Sequence, residues 1–305
     1  MSTPIKSSSL RYVIVSPMKD EERYVEHTLR SVVSQTLRPV QWVLVDDGSK
    51  DKTPAIVRRY VVVYPFIRLV QHGRPGFRQT GSAVMRAFNY GYNFLQESNY
   101  DFIVKLDCDL SFESYYFEKL IKRFFEDEKL GIASGVYLEM AKADVWKEVV
   151  MPSYHAAGAC KVLRRKCFED IGGFISAAGW DTVDEIRAMT LGWKTGHFPD
   201  LKMKHHKPEG SGIGSVRTSA MHGEVYYLTG GGKFFFLLKV LHRMGTKPYV
   251  ISAMALFWGY VKVLWRRGRP LVTKEEAICY QNLLSNRLRG RTKALFARAS
   301  ASFYR

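Results

Sequence analysis

The feature that most restricts how this chain can fold is a strict alternation between residues 10 and 130. Runs of β-branched residues are each followed by a segment with apolar positions at helical spacing. LRYVIVSP (10–17) reads as a strand ended by Pro17. DEERYVEHTLRSVVSQ (20–35) reads as a helix, with Asp20 expected as its N-cap. QWVLVDDGS (41–49) is a strand stopped by turn residues, and DKTPAIVRRYVVVY (51–64) is a helix carrying Pro54 near its first turn. FIRLVQH (66–72), GSAVMRAFNYGYNFLQES (81–98) and YDFIVKLDCD (100–109) continue the pattern as strand, helix and strand. This order builds a parallel sheet covered by helices on both faces, and such sheets bind ligands outside the carboxyl ends of their strands. Two acidic pairs, Asp46-Asp47 and Asp107-x-Asp109, fall at those ends.

Carboxylates one residue apart repel each other unless a positive group lies between them. Mg2+ and Mn2+ prefer oxygen ligands and keep coordination positions open for water and substrate phosphates. A strand ending in Asp-x-Asp can therefore hold a diphosphate through a metal ion. Two solvated turn aspartates remain the alternative reading of the triplet taken alone.

At 305 residues and 46% hydrophobic, the chain has the material for a full core. Its four cysteines include no Cys-x-x-Cys pair, which argues against a zinc site or a disulfide framework and points to a reducing cytoplasm. The first residues, MSTPIKSSSLRYVIV, lack the apolar stretch of a signal peptide. The net charge of +17 is unevenly spread: residues 261–305 carry eleven Lys and Arg against two Glu. Nucleic acid, an anionic membrane or plain solvent could face such a tail. Upstream lie GGKFFFLLKVLHRMG and PYVISAMALFWGYVKVLWRRG, aromatic-rich apolar stretches closed by arginines. The second is too short and too interrupted by Lys262 for a spanning helix, so interfacial helices are expected. A buried helical hairpin is the alternative. A nucleic-acid-binding protein would explain the charge, but no nucleic-acid module is present and the paired aspartates would repel the ligand.

VIVSPMKDEERYVEHTLRSVVSQTLRPVQWVLVDDGSKDKT resembles the family 2 glycosyltransferases of the GT-A fold. The family pattern Pro-x-x-Asn-Glu stands here as Pro17, Asp20 and Glu21, with aspartate replacing asparagine. Ser31 and Gln35 follow, then Val45-Asp46-Asp47-Gly48-Ser49 with Asp51 and Thr53. The resemblance covers roughly residues 10–200. It implies a GT-A mixed α/β sheet in residues 1–215, with helices on both faces; the basic and apolar composition of 216–305 leads us to expect a helical, membrane-associated appendage there.

The site residues implied by this likeness are Pro17, Asp20, Glu21, Asp46 and Asp47 around a nucleotide-sugar donor, with Arg78, and near it Arg74, toward the diphosphate or base. Asp107 would serve ribose and metal, and Asp109 the metal. Of the adjacent His205 and His206 at most one can face the metal, since neighbours on a strand point to opposite sides; His206 is the one assigned. The metal would be Mn2+ or Mg2+. In GWDTVDEIRAMTLGWKTG, Asp181 stands eleven residues before Gly192, where the family places its base; Trp180 replaces the usual first acid, and Asp184 and Glu185 are the substitutes. The implied reaction is inverting transfer of one sugar to an acceptor hydroxyl, since the Gln-x-x-Arg-Trp motif of processive members is missing. The apolar end suggests a lipid-linked saccharide acceptor and a cytoplasmic enzyme peripheral on the inner face of the plasma membrane. A nucleotidyltransferase is the competing enzyme class, but it would carry a Gly-rich loop where this chain has SPMKDEE.

Overall fold

A computed structural model describes residues 10–73, 82–142, 145–207, 214–245 and 249–303, with backbone alone for 141–142 and 290–303. The chain divides into two compact units, Met1–Glu209 and Gly210–Arg305.

The first unit runs β1 (Tyr12–Met18), α1 (Val25–Val33), β2 (Gln41–Asp46), α2 (Thr53–Val63), β3 (Ile67–Gln71), α3 (Ser82–Tyr92) and β4 (Phe102–Leu106). It continues with β5 (Leu110–Phe112), α4 (Tyr116–Glu126), β6 (Leu130–Lys142), β7 (Val145–Glu148), β8 (Cys160–Arg164), α5 (Arg165–Asp170), α6 (Trp180–Thr190) and β9 (Lys194–His205). The strands form one mixed sheet in the order β3-β2-β1-β4-β8-β6-β9-β5, with β7 paired to β6. The expected parallel portion is β3-β2-β1-β4. Beyond it, β8 runs antiparallel to β4.

The period of two along β1 sorts its side chains into two cores. Tyr12 and Ile14 pack with Val25 and Leu29 of α1 and Phe117 and Leu120 of α4. Val13 and Val15 pack on the other face with Met85 and Phe88 of α3 and Phe168 and Trp180. The expectation of helices on both faces therefore holds. Gly91 of α3 lies so close to Val45 and Val15 that any side chain there would collide with them, which seats α3 directly on β1 and β2.

Two local expectations are corrected. Asp20 is not an N-cap: α1 starts at Val25 behind Tyr24, and no side chain caps it. Asp20 instead adopts a left-handed backbone, φ 55°, and its Oδ1 accepts the Lys50 N–H at 2.8 Å. The helix expected to run to Ser98 ends at Tyr92, because tighter turns set in there and the Gln41 side chain captures the N–H groups of Gln96 and Glu97.

The second unit comprises α7 (Ser215–Leu228), α8 (Lys233–Met244), α9 (Tyr249–Trp265) and α10 (Lys274–Phe303). Gly223 of α7 and Gly259 of α9 let these helices approach until any Cβ would meet the carbonyl of Leu256 or Ala220. Phe236 of α8 stacks on Tyr260 at 4.1 Å between ring centres. While Ser252, Ala253, Leu256, Gly259 and Tyr260 are buried, the rest of α9 shows a stripe of exposed Ile251, Met254, Phe257, Trp258 and Trp265. Phe234, Leu237, Leu241 and Met244 make a similar exposed stripe on α8. Among the described residues no helix is long and apolar enough to cross a membrane.

Candidate active site

The parallel pairing of β1 with β2 and β4 brings three strand ends together, so the acidic residues that follow them converge. Pro17 is buried in β1 opposite Val45. Asp46, only 4% exposed, closes the turn after β2 by accepting the Ser49 N–H at 2.9 Å. Asp47 is half-buried and meets His72 Nδ1 at 2.8 Å, a partner that the sequence reading missed. Arg78 and Arg74 lie outside the described residues.

Glu21 is held at its backbone by Thr53 Oγ1 and at its side chain by Lys207, whose Nζ donates at 2.6 Å. Its other oxygen, Oε2, is buried without a hydrogen-bond partner. Burial pushes the Glu21 carboxyl up to about 7, against the pull of Lys207 and with the help of Asp109.

The end of β4 treats its two aspartates differently. Asp107 Oδ1 accepts from Lys105 Nζ at 2.6 Å, and the same ammonium donates to the Gly158 carbonyl at 2.7 Å. Burial raises the Asp107 carboxyl even so. Asp109 is buried with Oδ1 unpartnered, and its Oδ2 lies 3.4 Å from His205 Nε2. Although burial opposes its charged form, this carboxylate raises the His205 imidazole. The histidine pair is split as strand geometry requires. His206 turns to Ser111 Oγ at 2.8 Å and stacks on His27 at 4.3 Å. Of the two imidazoles, the one directed at Asp109 thus belongs to His205.

No set of three or more His, Cys, Asp or Glu side chains in ligating arrangement occurs among the described residues. The donor chemistry nevertheless suits a hard divalent cation. The unpartnered Asp109 Oδ1 and Glu21 Oε2 are carboxylate oxygens, and Mg2+-type sites commonly use one or two carboxylates with substrate phosphates completing the shell.

The first turn of α6, entered through Gly179 at φ 83°, is tied to β8 by Lys161, whose Nζ donates to the Asp181 carbonyl. Asp181 is half-buried, and its carboxylate has no hydrogen-bond partner among the described residues. Its Oδ2 is 3.5 Å from where a Cβ on Gly158 would stand, so the residue whose carbonyl receives Lys105 also flanks Asp181. The two substitute acids are engaged elsewhere. Lys161 Nζ contacts both Asp184 oxygens at 3.1 and 3.0 Å and Glu185 Oε1 at 3.1 Å, while His155 Nδ1 meets Glu185 Oε2 at 2.9 Å. Burial raises the Asp184 carboxyl; Glu185 outweighs burial to raise the His155 imidazole. Lys105 and Lys161 were missed from sequence. Their signal was a lysine inside each apolar strand, FIVKL and CKVLR.

A mixed sheet whose strand ends gather acidic side chains under a helix-borne carboxylate defines a GT-A glycosyltransferase architecture. The glycosyl transferase family 2 model matches residues 13–176, and the chain belongs to that family. The Bacillus subtilis protein called probable glycosyltransferase YdaM is 26% identical over 220 residues, covering 64% of this chain and 50% of its own length. The B. subtilis minor teichoic acid biosynthesis protein GgaA is 26% identical over 126 residues, 40% of this chain and 26% of that protein. The chain thus spans half or less of the length of these relatives. Among solved structures, the mannosyltransferase PcManGT of Pyrobaculum calidifontis, in complex with GDP-Man and Mn2+, superposes with a TM-score of 0.58 at 18% identity, covering 84% of this chain and 88% of that one. GalNAc-T7 with UDP, GalNAc and Mn2+ gives 0.57 at 14%, covering 87% and 59%. At these identities the likeness establishes the fold.

Proposed function

We propose that this glycosyltransferase moves a single sugar, with inversion, from a nucleoside-diphosphate sugar to a hydroxyl of a lipid-linked saccharide at a membrane surface. The observation that carries the reading is the presence of two differently placed carboxylates, one directly after β4 and one on the first turn of α6. Asp109 is buried with an unpartnered oxygen, and Asp181 is half-buried with no hydrogen-bond partner for its carboxylate among the described residues. The first suits a metal-bound diphosphate and the second suits a general base.

In this account Pro17, Asp20 and Glu21 line the donor pocket, Asp46 shapes its floor, and Asp47 accepts hydrogen bonds from ribose or base. Asp107, oriented by Lys105, faces the ribose, and Asp109 with Glu21 or His205 would hold Mn2+ or Mg2+. Such a cation supplies Lewis-acid stabilisation of the charge that grows on a departing diphosphate. Asp181 accepts the proton of the acceptor hydroxyl as its oxygen bonds to the anomeric carbon from the opposite side. The bond from that carbon to the phosphate oxygen breaks, its electron pair leaves with the nucleoside diphosphate, and one displacement inverts the centre. The relatives with glycosyltransferase names and the neighbours bound to GDP-Man or to UDP and Mn2+ support the class of donor.

The second unit supports the membrane part of the proposal. Trp265 is 80% exposed, Phe234 71% and Met254 66%, and Arg266 and Arg267 follow the stripe on α9. Exposed Trp and Phe edged by arginine are what an interfacial helix presents to anionic lipid. The test is product analysis. With UDP-glucose, UDP-N-acetylglucosamine and GDP-mannose offered separately with Mn2+, release of a nucleoside diphosphate is expected from one of them; release of sugar 1-phosphate, with the nucleoside monophosphate transferred, would replace the transferase with a nucleotidyltransferase.

A further inference from the structure

Lys105 of β4 and Lys161 of β8 are direct partners across the antiparallel ladder, and both are buried, 2% and 0% exposed. Each ammonium lies 5.3 Å from the centre of the Trp180 ring. Two like charges on neighbouring strands, both removed from water, carry a heavy desolvation cost, and apolar side chains would fill the same space at less expense. What the lysines hold gives the reason for their presence. Lys105 grips Asp107 and the Gly158 carbonyl. Lys161 grips the Asp181 carbonyl at 2.8 Å together with the Asp184 and Glu185 side chains. Every one of the Lys161 acceptors lies in the first two turns of α6. The first turn has no side-chain N-cap and follows a left-handed glycine, and the lysine ties it to β8 of the sheet.

We propose that Lys161 is a positioning residue for transfer, fixing the first turn of α6, and with it Asp181, in register with the Asp107 carboxylate that Lys105 holds across the same ladder. This rests on the assignment of Asp181 as base. Trp180 is the spacer between the two lysines, its ring centre 5.3 Å from both ammonium groups. Lys161 does not touch donor or acceptor; it sets where the proton acceptor stands. A displacement near 1 Å in such a group costs about 100-fold in rate.

Lys161→Met alone leaves Asp184 and Glu185 buried against an apolar side chain and is liable to unfold the unit. The informative variant is Lys161→Met combined with Asp184→Asn, which removes one cation and one anion and leaves the His155–Glu185 pair in place. The assay is donor hydrolysis, transfer to water, read as nucleoside diphosphate released from the best-bound of UDP-glucose, UDP-N-acetylglucosamine and GDP-mannose with Mn2+. Circular dichroism is expected to match the parent, donor Kd to stay within about twofold, and the single-turnover rate to fall about 100-fold. Adding Asp181→Asn is expected to cause little further loss, because both changes act through one group. A folded double variant that turns over at the parental rate overturns the inference while leaving the transferase reading intact. Full additivity with Asp181→Asn overturns it equally, since Lys161 would then serve stability alone. A parent that releases nucleoside diphosphate from none of the three donors overturns the transferase reading, and this inference with it.

Discussion

Glu21 makes a quantitative prediction. Its side chain is 14% exposed, ion-paired to Lys207 at 2.6 Å, with Oε2 buried and unpartnered. Burial lifts its carboxyl from 4.5 to about 7. Because the folded value is the higher one, the stabilising contribution is complete below the unfolded value and is lost as pH rises through 7. Above pH 7 the folded protein must ionise a group that the unfolded chain ionises freely. At about 1.4 kcal/mol per pH unit, the loss between pH 5 and pH 8 amounts to about 2–3 kcal/mol. Glu21→Gln keeps the shape and an acceptor for Lys207 but has nothing to ionise. Urea unfolding of parent and variant at pH 5 and pH 8, with a chelator present, reads this group together with the neighbours it is coupled to, because the titrations of all groups that Glu21 does not influence cancel in the double difference. The variant is expected to gain about 2–3 kcal/mol on the parent between the two pH values. A stability difference that does not change with pH would refute the reasoning, since Glu21 would then be ionised throughout and its Oε2 well solvated.

Other outcomes follow from the same geometry. Asp181→Asn should lower transfer by about 100- to 10,000-fold while donor Kd by calorimetry stays within about twofold; parental transfer would move the base elsewhere. Gly259→Val should drive a side chain into the Ala220 carbonyl and destabilise the second unit by more than about 2 kcal/mol, read as an earlier unfolding transition. Exchanging Trp258 and Trp265 for Glu removes about 2 kcal/mol of apolar contact at each position, so co-sedimentation with phosphatidylglycerol vesicles should fall at least about tenfold. Unchanged sedimentation would refute the interfacial role of α9.

The parallel half of the sheet was legible because each strand and helix there carries its own period and turn residues, and the Asp46-Asp47 and Asp107-x-Asp109 pairs sit where such sheets bind ligands. The antiparallel half was not: β8 inserts beside β4 although more than fifty residues separate them, a pairing that no local pattern encodes. For the same reason Lys161 could not be connected to Lys105, nor His155 to Glu185, before the ladder set them side by side. The Asp20 N-cap failed because a side chain that can cap a helix can equally close a turn in another strand's loop, and the Lys50 N–H won. Strand alternation foretold that only one of His205 and His206 could reach Asp109, but which one depends on the register of β9 against β5, where His205 faces Leu110.

The most direct test of the account is a crystal structure with Mn2+ and the nucleoside diphosphate of the preferred donor, using anomalous scattering to locate the ion. The account predicts the peak about 2.1 Å from a carboxylate oxygen of Asp109, bridging to the diphosphate, with Asp181 across the vacated sugar position. An ion and diphosphate bound away from the end of β4 would contradict it.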